Sequence, residues 1–175
     1  MLAEAKCKVL LLGTSGCGKT QIVSRFCENV FSDSFIATIG VDFKMRHIED
    51  PKLKLMLWDL AGQERFRAIT ESYYVNTQVA IFVYSVNDFD SLSAIKDLAV
   101  SFRSKVGAQP CVCILLGNKT DLPPEQRQVT FEQGEAMALE LDMFFMEHSA
   151  KSNDDSTLLA KIKEAWAKIQ LIESS

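Results

Sequence analysis

The stretch Gly13-Thr14-Ser15-Gly16-Cys17-Gly18-Lys19-Thr20 narrows what this chain can fold into more than any other. It fits G-x-x-x-x-G-K-[ST] at every fixed position. The β-branched and leucine run Lys6 to Leu12 precedes it, and a helical pattern follows. Glycines let the backbone wrap so that successive N–H groups point inward, while the next helix aims its positive N-terminus at the same point. That arrangement cradles phosphates. Lys19 is placed to reach the β- and γ-phosphates and Thr20 to put its hydroxyl on Mg²⁺. The plain alternative, a glycine-rich strand-to-helix turn that binds nothing, is the weaker reading because strand and helix patterns flank the loop as a phosphate site requires. Taken alone, the loop says nucleoside triphosphate without naming the base.

The remainder of the chain has the alternation such a loop needs. Val79 to Tyr84 and Cys111 to Gly117 read as strands buried on both faces. Leu92, Ile95, Leu98, Ala99, Phe102 and Val106 fall on one helix face, as do Leu158, Leu159, Ile162, Trp166 and Ile169. Thr130 with Gln133 suits a capping box for a helix through Leu141. Gly40 to Ile48 pairs with Leu53 to Asp59 as a hairpin across Glu49-Asp50-Pro51-Lys52. Strand alternating with helix favours right-handed crossovers and a mostly parallel sheet covered on both faces, with its ligand outside the strands' carboxyl ends.

Composition closes off other classes. With 175 residues and no repeat or linker, the chain reads as one α/β domain, residues 1–175. A net charge of -4 argues against nucleic acid, whose binders show a basic excess. Five cysteines, without a C-x-x-C pair or histidines at ligand spacing, argue against a disulfide framework or zinc. Reduced thiols and no signal peptide point to the cytoplasm. Leu2 is not the glycine of a myristoylation signal, and the C-terminal Ile172-Glu173-Ser174-Ser175 is no prenyl box. A monomer is the default expectation. Cys111 and Cys113 read as small apolar fillers on one strand face. Cys17, inside the phosphate loop, is where a thiol reagent would disturb binding.

Three further loops add chemistry. In Trp58-Asp59-Leu60-Ala61-Gly62-Gln63-Glu64 an aspartate at a strand end suits a metal held through water, Gly62 offers an amide to a γ-phosphate, and Gln63 can orient water. Asn118-Lys119-Thr120-Asp121 follows a buried strand, and a carboxylate there can accept two N–H bonds from guanine, a donor pattern adenine lacks. Ser149-Ala150-Lys151 follows Phe144 to Glu147.

With these elements in this order, the whole chain resembles the Ras superfamily of small GTPases. Thr38-Ile39-Gly40-Val41-Asp42-Phe43, Trp58 to Phe66 and Tyr73-Tyr74 are similar to the Rab branch. The resemblance implies a single P-loop G domain, its sheet six-stranded and mostly parallel with one antiparallel hairpin strand. It implies that Gly13, Ser15, Gly16, Cys17, Gly18, Lys19, Thr20, Phe31, Thr38, Gly62, Asn118, Lys119, Asp121, Ser149, Ala150 and Lys151 hold GTP or GDP. Thr20, Thr38 and Asp59 would hold Mg²⁺, Phe31 would stack on guanine, and Gln63, Lys19 and Gly62 would serve hydrolysis. Phe43, Trp58 and Tyr73, with the switch segments near residues 32–40 and 61–77, would meet effectors, an exchange factor and an activating protein. From the residues alone, Phe43 and Trp58 also suit a core aromatic pair and Phe31 suits packing under a loop.

The implied function is a GTP-hydrolysing switch in vesicle trafficking at the cytosolic face of an internal membrane. Membrane contact would be indirect or through a prenylated tail that this chain lacks. No resident arginine finger is seen, so turnover is expected to be slow until an activating protein raises it by roughly 10³ to 10⁵ fold. A non-cycling, GTP-locked or nucleotide-free scaffold on the same fold is the alternative, and a P-loop kinase or ATPase a third reading. Departures from the Rab pattern are a hairpin turn about two residues shorter, Ser85-Val86-Asn87 where an aspartate is common, and Val75-Asn76-Thr77 for a frequent Arg-Gly-Ala.

Overall fold

The strands form where the apolar runs predict them, and their burial explains their sequence patterns. In a computed structural model describing residues 3–152 and 154–175, β1 (Ala5–Leu12), β2 (Val41–Ile48), β3 (Leu53–Leu60), β4 (Val79–Ser85), β5 (Val112–Asn118) and β6 (Phe144–Glu147) form one sheet in the order β2-β3-β1-β4-β5-β6. All seven residues of β4 and all seven of β5 are buried, hence their unbroken apolar reading. At the sheet edge, β2 exposes Asp42, Phe43, Met45 and His47. Only β2 and β3 run antiparallel, with Phe43 opposite Trp58 and Ile48 opposite Leu53. The other pairs are parallel.

Helices α1 (Lys19–Glu28) and α6 (Ser156–Glu173) cover one face through Ile22, Val23, Phe26, Leu158, Ile162 and Ile169. On the other face α3 (Phe89–Ser93), α4 (Ile95–Lys105) and α5 (Phe131–Glu140) bring Leu92, Ile95, Ala99, Phe102 and Ala138. A short α2 (Arg67–Glu71) lies beside them. The Thr130–Gln133 capping box is present in both directions. The expected helix from Leu92 to Val106 is divided instead. Asp88 caps α3 through the amides of Asp90 and Ser91, and Ala94 separates α3 from α4 with right-handed backbone angles of -66° and -18°, so the apolar face stays continuous. Cys111 precedes β5 rather than lying in it, though it packs into the same core layer as Cys113. At the end of β4 the Ser85 amide donates to Ser91 Oγ at 2.9 Å and its hydroxyl to Asn87 Oδ1.

From β1 the chain runs first to β2 and β3 on one side, then to β4, β5 and β6 on the other. A crevice therefore opens outside the carboxyl end of β1, where strand order reverses and the phosphate-loop motif sits.

Candidate nucleotide site

One cleft at this crevice is lined by Ser15, Gly16, Gly18, Lys19, Thr20, Phe31, Thr38, Gly62, Asn118, Lys119, Asp121, Ala150 and Lys151. Residues over 100 positions apart in sequence thus share one cavity. Gln21, Leu122 and the segment 32–36 also line it. Leu122 went unrecognised in the sequence, because a leucine after the aspartate carries no polar signal.

The loop ahead of α1 owes its course to glycine. Gly16 and Gly18 hold φ of 83° and 101°, in the left-handed region where a side chain strains. At Gly18 an added Cβ would lie 2.2 Å from Asn118 Nδ2, so the two loops touch. Lys19 is 5% exposed, and its ammonium donates to Gly13 O at 2.9 Å and Thr14 O at 3.0 Å. The loop's own carbonyls hold the charge beside the cleft. Cys17 is buried at 1% exposure and joins the core under α1, so its thiol is shielded from solvent while its sulfur accepts from the Lys19 ammonium at 3.7 Å. That corrects the expectation of a reagent-sensitive cysteine in the cleft.

Beside Lys19, three oxygens converge. The Thr20 hydroxyl donates to Asp59 Oδ2 at 2.5 Å, the Thr38 hydroxyl to the same oxygen at 3.3 Å, and the two hydroxyls are 2.8 Å apart. Asp59 is 1% exposed, and its other oxygen, Oδ1, is buried without a hydrogen-bond partner. Burial raises the carboxyl's pKa, opposed by the Thr20 bond, the Lys19 charge and the Thr38 bond. A buried carboxylate with an unpaired oxygen and two adjacent hydroxyls suits a hard cation that prefers oxygen ligands, and such a charge would offset the cost of burial.

The end of the cleft at Asp121 is cross-tied. Asn118, 2% exposed, donates from Nδ2 to Cys17 O at 3.0 Å and accepts from the Ala150 amide at 3.2 Å. Much of its hydrogen-bonding capacity thus goes to joining three loops, a role the motif alone does not disclose. Lys119, in a left-handed conformation with φ 69°, reaches back to Gly16 O at 2.7 Å. Ser149 does not line the cleft; its hydroxyl donates to Asp121 Oδ1 at 2.6 Å and aims that carboxylate. Arg25 of α1 adds a brace that sequence reading missed, donating to Ala150 O at 3.1 Å and Lys151 O at 3.3 Å. Its guanidinium also lies 5.7 Å from the Phe31 ring, which packs partly against the core at the cleft wall.

Gln63 is the clearest departure from expectation. It is absent from the lining of this cleft and borders a neighbouring depression with Glu64, Arg67, Thr70 and Asp97. Gly62 does reach the phosphate loop, where an added Cβ would lie 2.3 Å from Ser15 N and 2.5 Å from Thr14 C. Arg65 lies 4.7 Å over the Phe66 ring, and Arg67 is bonded to Glu71 at 3.0 Å. On the outer surface, Phe43, Trp58 and Tyr73 form a row with ring centroids 4.5 Å and 5.2 Å apart. Phe43 is 38% exposed, while Trp58 and Tyr73 pack partly against the second core, so the row is half core and half surface.

Residues 8–169 match the Ras family model. The chain belongs to the Ras family. Among curated proteins it is similar to the GTP-binding protein ypt2 of Schizosaccharomyces pombe, 45% identical over 83% of this chain and 73% of that protein. It is likewise similar to the Ras-related protein SEC4 of Saccharomyces cerevisiae, 45% identical over 85% of this chain and 68% of that one. The Ras-related protein Rab-8A of Bos taurus is 43% identical over 83% and 70% respectively. Within the Ras family these relatives place the chain on the Rab side, as a small GTPase that hydrolyses GTP and acts as a trafficking switch. Among the described residues, no helix of this Rab-like GTPase is long and apolar enough to cross a membrane.

Proposed function

We propose that this chain cycles between GTP and GDP through the residues gathered in the cleft, with Mg²⁺ held by Thr20, Thr38 and Asp59. One observation supports the reading: Lys19, Thr20, Thr38 and Asp121 line a single cavity, with Asp59 bonded behind both threonines and Ser149 bonded to Asp121. Asp121 accepts the N–H donors of guanine while Phe31 and Lys119 flank the base, and the loop amides with Lys19 carry the phosphates. Mg²⁺, when bound, would neutralise charge on the β- and γ-phosphates. Lys19 and the Gly62 amide stabilise charge on the γ-phosphate oxygens, and Gln63, brought in from the neighbouring depression, aligns the attacking water. Arg65 and Arg67 are engaged elsewhere, so an activating protein supplies the arginine. Thr38 and Gly62 report the γ-phosphate to effectors, whose contact includes Phe43, Trp58 and Tyr73. The chain acts as a monomer at the cytosolic face of an internal membrane.

The non-cycling scaffold draws no support from a chain that keeps Lys19, Thr20, Thr38, Asp59, Gln63 and Asp121. Displacement of a fluorescent guanine nucleotide by GTP, GDP and ATP, with and without Mg²⁺, tests the reading. Competition by GTP and GDP but not ATP, with release slowed by Mg²⁺, is the expected result. Absence of specific guanine-nucleotide binding would return the scaffold to first place.

A further inference from the structure

The second switch segment is not uniformly loose. Ahead of Glu71, residues Glu64, Arg65, Arg67, Ala68 and Ile69 are exposed. Behind it, Lys8 Nζ donates to Tyr73 O at 2.6 Å and to Val75 O at 2.8 Å. Tyr74 is buried edge-on against Phe102 at 5.4 Å, and the buried Thr77 hydroxyl donates to Tyr74 O at 2.8 Å. The division falls at Glu71, the last residue of α2. Its Oε1 accepts from Ser101 Oγ at 2.8 Å and Arg67 Nε at 3.0 Å, and its Oε2 accepts from Lys105 Nζ. Ser101 and Lys105 both belong to α4, so one carboxylate rivets α2 to the body of the domain. These three donors hold the Glu71 carboxyl well below the usual range, at about 2. It therefore remains an acceptor throughout the neutral range.

We infer that Glu71 is a positioning residue for GTP hydrolysis: it anchors α2 to α4 and confines the motion of the switch segment to residues 61–69, which limits the conformations from which Gln63 must be drawn. The physical ground is that alignment of a water by Gln63 requires the intervening residues to be ordered, and each additional free residue raises that entropic cost. The inference rests on the assignment of Gln63 as the water-aligning residue.

The test is a double-mutant cycle on single-turnover GTP hydrolysis with Glu71→Ala, Gln63→Leu and the pair, together with GTP and GDP affinities. Glu71→Ala is expected to slow hydrolysis about 5- to 50-fold, the scale of a misplaced group remote from the chemistry, with both affinities within about twofold of wild type. In the Gln63→Leu background the same change should have no further effect, because the two residues act as one unit. Glu71→Gln, which keeps an acceptor for Ser101 and loses the ion pair, should be intermediate. The charge swap Glu71→Lys with Lys105→Glu should recover part of the rate. Hydrogen exchange should quicken at residues 67–72 and stay unchanged at 79–85. A wild-type rate in Glu71→Ala, a parallel loss of nucleotide affinity, or an equal slowing in the Gln63→Leu background would overturn the inference. If Gln63→Leu itself hydrolyses GTP normally, the water-aligning assignment has failed instead.

Discussion

The two ends of the cleft are held by different means. At the end proposed for the base, Asn118 joins the loops of Cys17 and Ala150, Lys119 reaches Gly16, Ser149 aims Asp121, and Arg25 braces Ala150 and Lys151. At the end proposed for the γ-phosphate, the Thr38 hydroxyl is tied to Thr20 and Asp59, the residues between 32 and 36 are largely exposed, and Gln63 faces another depression. Cross-ties paid in advance make a preorganised grip, whereas a segment with few ties moves when one contact is gained or lost. On the proposed cycle both are needed, a grip to keep either nucleotide and a loose end to distinguish them by a single phosphate.

Breaking the grip should have the largest effect. Lys19→Ala is expected to weaken GTP and GDP binding by about 2–5 kcal/mol, as for removal of one partner from a desolvated charge pair, read by titration with a fluorescent nucleotide. Unchanged affinity would mean that the phosphates lie elsewhere. At the loose end, Gln63→Leu should lower hydrolysis about 10²-fold, the scale of one lost preorganised polar group, while affinity stays nearly the same. A large affinity loss with normal turnover would erase the contrast between the two ends.

Asn118→Ala tests the cross-ties themselves. It removes both bonds of a buried amide and strands Cys17 O and the Ala150 amide, so about 1–3 kcal/mol of stability should go, with faster release of both nucleotides. Urea midpoints and release rates would show it, and a release rate changed for only one nucleotide would deny that Asn118 serves the grip.

The smallest effect is set by pH. His148 lies directly before the Ser149-Ala150-Lys151 loop, and burial lowers its pKa below 6.5, opposed by Asp155 and Asp154. The fold therefore prefers the neutral ring. Its stabilising contribution is complete above the unfolded value, about 6.5, and is lost as pH falls through the window between that value and the lowered one. Asp59, whose pKa burial raises, contributes with the opposite sign at acid pH. The comparison is accordingly between proteins: His148→Gln should flatten the fall in urea midpoint from pH 7.5 to 5.5 relative to wild type. An identical fall in both would remove His148 from the account.

How much could be read in advance follows from the range of the forces involved. Strand β4, strand β5, the hairpin and the Thr130 cap are local patterns of burial, turn chemistry and capping, and each stands where its residues place it. The phosphate loop is equally local, since its glycines and the helix behind it act within eight residues. Even the pairing of Phe43 with Trp58 follows from hairpin register. The sequence by itself therefore determined the fold class, the nucleotide-binding family and most of the residues that line the cleft. Tertiary structure decided which of the candidate residues line the cleft and which hold others in place. That Asn118 and Ser149 act largely on neighbouring loops, that Arg25 braces the loop after β6, that Cys17 turns inward and that Glu71 fastens α2 to α4 depend on side chains meeting across 28 to 126 positions of chain. No periodicity or motif encodes such distances, because they are set by the packing of the sheet and its two helical layers rather than by any one segment.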